Sequence, residues 1–490
     1  MKWITPGAVS GDSLLLSLIR VITVLASMIQ TKILASGLSL AAYGSYSQAT
    51  IVVSVGASII LLGLPDAINY FYNHKEKQED ERKQIVNTVF FLEILAGVLL
   101  AILIDIGRGG IAAYFSNTAL KMLLPWVAIK PMLDNLLYFY QLLYVSAGKA
   151  RIIAIRNLVM SLLRIAAVYI AVFSLKSIVW IFCLIIAMDV LQLLVLKAYF
   201  AKERFLVQPH KMRKKFIRPI LTYGLPMGIY AATNMLAREI DKLVVGYLAN
   251  TETLAIYANC SKILPFDIIS VSFATVLIPH IMRYVSGKDN EKAAKLFSDY
   301  LKIGYYSVWI LGVAVLITSR QVISLLYSKE FLAGHSVFVI YVFDSMLKFA
   351  SVHLILTAGG KTTRIMRYSL STSLLNLGLN VVLYYLCGII GPAIATLIST
   401  AIYTFLILRS SIQTVEAKWT AVIDVKDLMF FGMTIVITGG AFYCGNQAML
   451  RAGWNMYVSM ILSAGGFCLV NLLLHARHIS NVLRSINTLR

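Results

Sequence analysis

Charged side chains are scarce. Asp, Glu, Lys and Arg make up 14% of the 490 residues, and the acidic ones number only 23, whereas an average soluble domain is about 25% charged. That scarcity excludes a water-soluble fold, because a chain that is 59% hydrophobic would expose more hydrocarbon than its polar groups can cover. Cysteine is equally thin. The five residues Cys183, Cys260, Cys387, Cys444 and Cys468 lie in apolar stretches without a C-x-x-C pair, which excludes a disulfide framework or zinc site and leaves them as small core residues. No H-E-x-x-H spacing, phosphate loop of the form G-x-x-x-x-G-K-[ST] or dinucleotide fingerprint occurs, so no metal, nucleotide cofactor, catalytic centre or built-in ATP motor is expected. A cleavable leader is missing as well. Only Lys2 precedes Leu14, and Arg20 interrupts the apolar stretch that follows, so the first span is expected to be retained.

What the sequence does have is long apolar runs. At roughly 20 residues per span, breakers delimit fourteen of them, near 13–35, 43–72, 85–106, 120–147, 152–173, 177–200, 219–248, 254–284, 296–318, 335–358, 365–387, 389–408, 427–447 and 456–475. The prediction is an all-α polytopic membrane protein. Lys and Arg in alternate loops give the orientation: twenty-nine fall on the side of Lys2, Lys75, Lys149, Lys211, Lys361 and Arg484, against six on the other side, Arg108, Lys121, Lys176, Arg320, Lys329 and Arg451. By the positive-inside rule both termini are expected in the cytoplasm. The net charge of +21 then reads as a topology signal and not as a nucleic-acid surface.

The chain also repeats itself. A shift of 214 residues places Leu40, Ala41, Tyr43, Ser47, Ser58, Pro65 and Tyr70 on Leu254, Ala255, Tyr257, Ser261, Ser272, Pro279 and Tyr284; a shift of 212 places Gly148-Lys149 on Gly360-Lys361. Six spans per copy is an even number, so both copies enter from the same side and are related by an axis along the membrane normal. The expected organisation is an N-terminal six-helix lobe (1–200), a basic linker (201–218), a second six-helix lobe (219–409) and two additional helices (410–490). Two such lobes can rock about a central path, the mechanics of secondary transport. Pro65 and Pro279 are expected to mark equivalent kinks.

Ionisable residues at membrane depth are costly and usually face a cavity or one another. Here they include Arg20, Asp66, Lys130, Asp134, Arg164, Asp189, Arg238, Glu239, Asp241, Lys242, Lys262, Asp267, Lys302, Asp344 and Lys348. Lys130 with Asp134, and Asp344 with Lys348, are spaced i, i+4 and can neutralise each other on one helix face. Arg20 is close enough to its helix end to snorkel. Lys262 and Arg164 have no partner on their own helices. Arg20, Arg164, Lys262, Lys130 and Lys348 are therefore the candidate contacts for an anionic substrate, in a cavity lined by spans 1, 2, 7 and 8.

Short motifs carry a resemblance. Tyr223-Gly224-Leu225-Pro226, Asp241-Lys242 with Gly246, Leu254-Ala255-Ile256-Tyr257-Ala258, and Gly388, Gly391-Pro392-Ala393 and Ala395-Thr396 at the opening of span 12 look like the polysaccharide-transport branch of the multidrug, oligosaccharidyl-lipid and polysaccharide exporter superfamily, the O-antigen or Wzx-type flippases. The resemblance covers essentially the whole chain. It implies translocation of an undecaprenyl-pyrophosphate-linked oligosaccharide across a bacterial cytoplasmic membrane by alternating access. It also implies membrane lipids, a glycan polymerase and chain-length proteins as partners, and no cofactor beyond a proton or sodium gradient. Asp66, Asp134, Asp267 and Asp344 are the candidate ion carriers. A diphosphate needs cations in its path, which Lys and Arg supply. Exporters of drugs or of the peptidoglycan precursor share this architecture. A membrane-embedded sugar polymerase or ligase is the alternative of another class, disfavoured by the short outer loops near 107–119 and 319–334.

The orientation is directly testable. A cysteine introduced by Lys211→Cys should resist a membrane-impermeant maleimide in intact cells and react only after permeabilisation; reaction in intact cells would reverse the assignment.

Overall fold

A computed structural model describes residues 6–60, 63–65, 67–68, 79–262, 266 and 268–489, and the regular structure among them is entirely helical. The bilayer dictates this: without water to satisfy backbone groups, only helices and closed barrels can cross. The fourteen expected spans appear in order. The first eight are α1 (Pro6–Gly37), α2 (Leu40–Ile60), α3 (Glu79–Tyr114), the pair α4 (Thr118–Val127) and α5 (Lys130–Ser146), α6 (Ala150–Tyr169) closed by a π turn at Ile170–Ser174, α7 (Ile178–Glu203), α8 (Lys214–Leu248), and the pair α9 (Thr251–Cys260) and α10 (Ile268–Ser286). The remaining six begin with α11 (Asn290–Ile317), followed by a surface helix α12 (Ser319–Leu326). Then come the pair α13 (His335–Leu347) and α14 (Leu354–Ala358), α15 (Thr362–Cys387), α16 (Ile390–Thr414), the short α17 (Trp419–Val422), α18 (Val425–Arg451) and α19 (Met456–Leu489).

Nine helices among the described residues are long and apolar enough to cross a membrane on that measure alone. Of the other five expected spans, span 1 contributes the shorter apolar stretch Val21–Gly37, span 4 is divided into α4 and α5, and spans 2, 7 and 8 carry polar side chains such as Gln48, Asn234 and Asn259. Outward-facing side chains such as Leu103, Ile106 and Val436, 64%, 76% and 72% exposed, are stable there because hydrocarbon surrounds them.

Packing divides the chain into two compact units, Met1–Ala255 and Ile256–Arg490. The sequence reading begins the second lobe earlier, near residue 219, whereas α8 packs on α2 and α3 within the first unit. Pro279 lies inside the uninterrupted α10, and the interruption in that copy falls between Cys260 and Ile268; in the first copy α2 ends at Ile60. Gly63 follows in a turn at φ +65°, where an added Cβ would lie 2.0 Å from the Gly224 carbonyl oxygen, so the local conformation and the approach of α8 both require glycine there.

The last two spans are fastened to α11 by polar side chains. At one end Ser485 donates to Asp299 at 2.6 Å and Lys302 to Asp424 at 2.9 Å. Tyr305 and Tyr306 both donate to Asp427, which also faces His478 Nδ1 at 3.2 Å. Further along, Thr434 meets His475 Nε2 at 2.9 Å and Asn471 donates to Thr438 at 3.1 Å. At the other end, Gln321 of α12 exchanges two hydrogen bonds with Asn446, at 2.9 and 3.0 Å, and reaches Ser459 at 3.1 Å. In hydrocarbon, where hydrophobic association between helices is absent, such contacts and close packing hold helices together.

In the first unit the core forms where α3 meets α5. The Phe90 ring lies 5.1 Å from Phe139 and 5.8 Å from Tyr140, and two turns on, a Cβ at Gly97 would fall 2.2 Å from Met132 Cγ. Gly97→Ala should therefore cost about 1–3 kcal/mol by overpacking. Gly107→Ala on the same helix, with nothing within 4 Å, should be neutral or slightly stabilising. Thermal unfolding of the solubilised protein compares the two, and equal melting points would refute the α3–α5 contact.

Candidate functional site

A cluster of charge sits in the middle of the first unit. Lys130 and Asp134 are one helical turn apart on α5, Arg164 is on α6 and Asp189 on α7. Asp189 is eleven residues from the start of α7, about 16 Å at 1.5 Å per residue, whereas Lys130 opens α5 just after the break that divides that span. Asp189 has no exposed surface and joins the others. Arg164 donates to its Oδ1 at 2.6 Å and Gln192 to the same oxygen at 2.9 Å. Lys130 Nζ lies 3.1 Å from its Oδ2, an ion pair outside hydrogen-bond geometry. Lys130 also holds Asp134. Two carboxylates thus meet two cations, and the cluster is formally neutral. Arg164, which has no partner on its own helix, finds one across helices in Asp189. The i, i+4 pairing of Lys130 with Asp134 exists but is only half of the arrangement.

In the second unit the other expected pair forms: Lys348 donates to Asp344 at 2.5 Å. Asp344 is fully buried while the Lys348 side chain is 42% exposed, so the cation is the accessible member. The second Asp344 oxygen has no hydrogen-bond partner among the described residues. Lys262 is exposed just beyond the end of α9, eight residues into the expected span 254–284 and outside regular helix. Irregular backbone at membrane depth is tolerated where protein or a water-filled cavity surrounds it. Lys242 pairs with Glu239 at 3.0 Å near one end of α8. Asp66 and Asp267 lie outside the described residues. Arg20 is carried on α1, and its side chain also lies outside them.

Within the first unit, a second polar group sits at the end opposite the basic loops. Asn117 caps α4 with its side-chain oxygen and donates to Ser45 at 2.8 Å and to Gln48 at 2.6 Å, both on α2. Gln48 donates onward to Thr251 at 3.3 Å. Tyr114 reaches the Leu243 carbonyl of α8 at 3.0 Å. These contacts tie the starts of α2 and α9 to the ends of α3 and α8. Below them is an apolar groove of about 490 Å³ lined by residues including Val55, Ile59, Leu100, Ile104 and Leu243.

Two features escaped the sequence reading. The polar fastening of α18 and α19 involves residues far apart in the chain, which no local spacing reveals. Glu93, on α3, is 2% exposed with no partner for either carboxyl oxygen among the described residues. Its signal was present: it is the only ionisable residue between Lys83 and Asp105.

A family profile described as polysaccharide biosynthesis protein matches residues 10–285, more than half of the chain. Among curated proteins, the probable low-salt glycan biosynthesis flippase Agl15 of Haloferax volcanii is 23% identical over 172 residues, 34% of this chain and 36% of that protein. The match therefore spans about a third of the relative's length. Among solved structures, lipid II flippase MurJ in an inward closed conformation is similar with a TM-score of 0.74 at 15% identity, over 95% of this chain and 100% of that one. An inward-facing multidrug resistance MATE family transporter of the MOP superfamily is similar with a TM-score of 0.66 at 12% identity, over 80% of this chain and 94% of that one. At such identities the likeness establishes a common fold.

The ion cluster makes its own prediction. Asp189→Asn leaves Lys130 and Arg164 without their shared carboxylate and should destabilise the protein by about 3–5 kcal/mol. Lys121→Ala on the exposed face should change stability by less than about 0.5 kcal/mol. Thermal unfolding distinguishes them, and an Asp189→Asn protein as stable as wild type would deny the cluster a structural role.

Proposed function

The chain belongs to the polysaccharide biosynthesis protein family, and on that premise we propose that it is a flippase for a polyprenyl-diphosphate-linked oligosaccharide, with undecaprenyl as the lipid. It works in a bacterial cytoplasmic membrane with both termini inside. The observation that carries this reading is the conjunction of the family match with a fold shared along nearly the whole chain with a lipid II flippase.

The chemistry of such a substrate sets three requirements. A diphosphate crossing hydrocarbon needs cations along its path, the glycan needs water, and the lipid tail needs neither. Lys262, exposed just beyond α9, and Lys348, which pairs with Asp344 yet keeps 42% of its side chain exposed, meet the first requirement better than Lys130, whose side chain is 11% exposed, and Arg164, which pairs with the fully buried Asp189. Spans 2 and 7 of the first unit meet the second, since they carry polar side chains such as Gln48 and Asn234 at depth. The lipid tail can stay in the bilayer throughout.

Alternating access requires one end to be shut when the other is open. The hydrogen bonds from Asn117 through Gln48 to Thr251 support a closure at the end away from the basic loops, and translocation requires them to break. Neutral side-chain hydrogen bonds of this kind are worth about 1 kcal/mol each, weak enough to open within a transport cycle.

The experiment uses the full chain in lipid vesicles with a fluorescent polyprenyl-diphosphate N-acetylglucosamine as probe and leaflet-selective quenching as readout. The wild type should equilibrate the probe between leaflets. Gln48→Cys combined with Thr251→Cys should form a disulfide under oxidant and stop translocation, and reductant should restore it. No movement of the probe, combined with movement of a lipophilic drug cation, would replace the flippase reading with drug export. Full translocation by the oxidised, cross-linked pair would overturn the closure.

A further inference from the structure

Glu93 is placed where a carboxylate is hardest to keep. It lies ten residues along α3 from Lys83 and twelve from Asp105, about 15 and 18 Å at helical rise, and so near the middle of the membrane. It shares the buried stripe Val86, Phe90 and Gly97 that faces α5. Phe90 packs on Phe139 and Tyr140 at one level and Gly97 on Met132 at another. Glu93 falls between these levels, opposite the stretch of α5 that carries the buried Leu133 and Leu136. The Tyr140 hydroxyl on that helix is also buried without a hydrogen-bond partner among the described residues.

Among the described residues no charge compensates it. The elements packed on α3 are α2, α4, α5, α8 and the turn Pro209–Lys211. On α5, Lys130 and Asp134 are engaged with Asp189 and each other. Lys121 of α4 and His210 and Lys211 of the turn are exposed. The charges of α8 lie toward its ends: Lys214, Lys215 and Arg218 at one, Arg238, Glu239, Asp241 and Lys242 toward the other. The helix α2 carries none.

We propose that Glu93 is a proton-binding site, protonated while α3 and α5 enclose it and releasing the proton when the contact opens to water. This rests on the flippase reading above and names its coupling ion. An isolated carboxylate in apolar surroundings is far costlier than the neutral acid, whereas Asp189 meets two cations and needs no proton. A metal cation is a poorer occupant, because hard cations require about six oxygen ligands and neither Glu93 oxygen has a polar partner among the described residues. Binding is a simple equilibrium in which one proton joins one carboxylate oxygen.

The test begins with the wild-type chain in vesicles. Dicyclohexylcarbodiimide, an apolar reagent that captures protonated carboxyls, should leave its adduct on the peptide containing Glu93 at neutral pH, as read by mass spectrometry, with labelling falling as pH rises. No adduct at Glu93, when the same peptide reacts in unfolded protein, would overturn the proposal. Glu93→Gln, which keeps the shape of the neutral acid, should still equilibrate the fluorescent probe but lose the acceleration that an imposed pH gradient gives the wild type. Undiminished acceleration would also overturn it. The labelling needs no variant, so it decides even if the substituted protein fails to fold. If the wild type does not move the probe at all, the flippase reading fails while the labelling still decides the proton site.

Discussion

Asp189 is the point on which the first unit turns. A carboxylate with no exposed surface is held by Arg164 from α6, Lys130 from α5 and Gln192 from its own helix. Removing an ion from water costs several kcal/mol, so each of these groups is tolerable at membrane depth only because the others are present. That mutual dependence fixes three helices relative to one another at one depth. It explains why α5 begins where it does: Pro131 sits in its first turn, where the missing donor does no harm, and the break before it brings Lys130 to the level of Asp189. The core of Phe90, Phe139 and Tyr140 then assembles on the other side of the same helix.

Much of this architecture is legible in the sequence because the membrane simplifies the code. Span length, loop charge and the i, i+4 pairs follow from one solvent and one helical geometry, and the order of the fourteen spans emerges from them. The cross-helix pairing of Arg164 with Asp189 does not, since residues 25 apart reveal their contact only once helix rotation is known. A proline in a transmembrane helix need not break it when neighbouring groups satisfy the freed carbonyl, and α10 runs through Pro279. Glu93 was overlooked because a single acid in a long apolar run has no pattern, although its isolation is what makes it informative.

Polar groups have three different positions in this protein. Those around Asp189 are neutralised within the fold, which suits a fixed scaffold. The hydrogen bonds linking Asn117, Ser45, Gln48 and Thr251 carry no charge and can be exchanged for water at modest cost, which suits a contact that opens. Lys262 and Lys348 keep exposed surface, the latter while paired with Asp344.

The fastening of α18 and α19 to α11 also bears on how the chain is made. Asn446 is completely buried and bonds to Gln321, and Asp427 accepts from Tyr305 and Tyr306; each would be a burden to a hairpin inserted alone, because polar groups in hydrocarbon without partners are costly. Synthesis proceeds from the N-terminus, so α11 with Tyr305 and Tyr306, and α12 with Gln321, are complete before the hairpin emerges. Their acceptors and donors are already in place. A ribosome stalled before Val425 would therefore leave Tyr305 and Tyr306 of α11 and Gln321 of α12 without these partners, an arrangement costly in hydrocarbon.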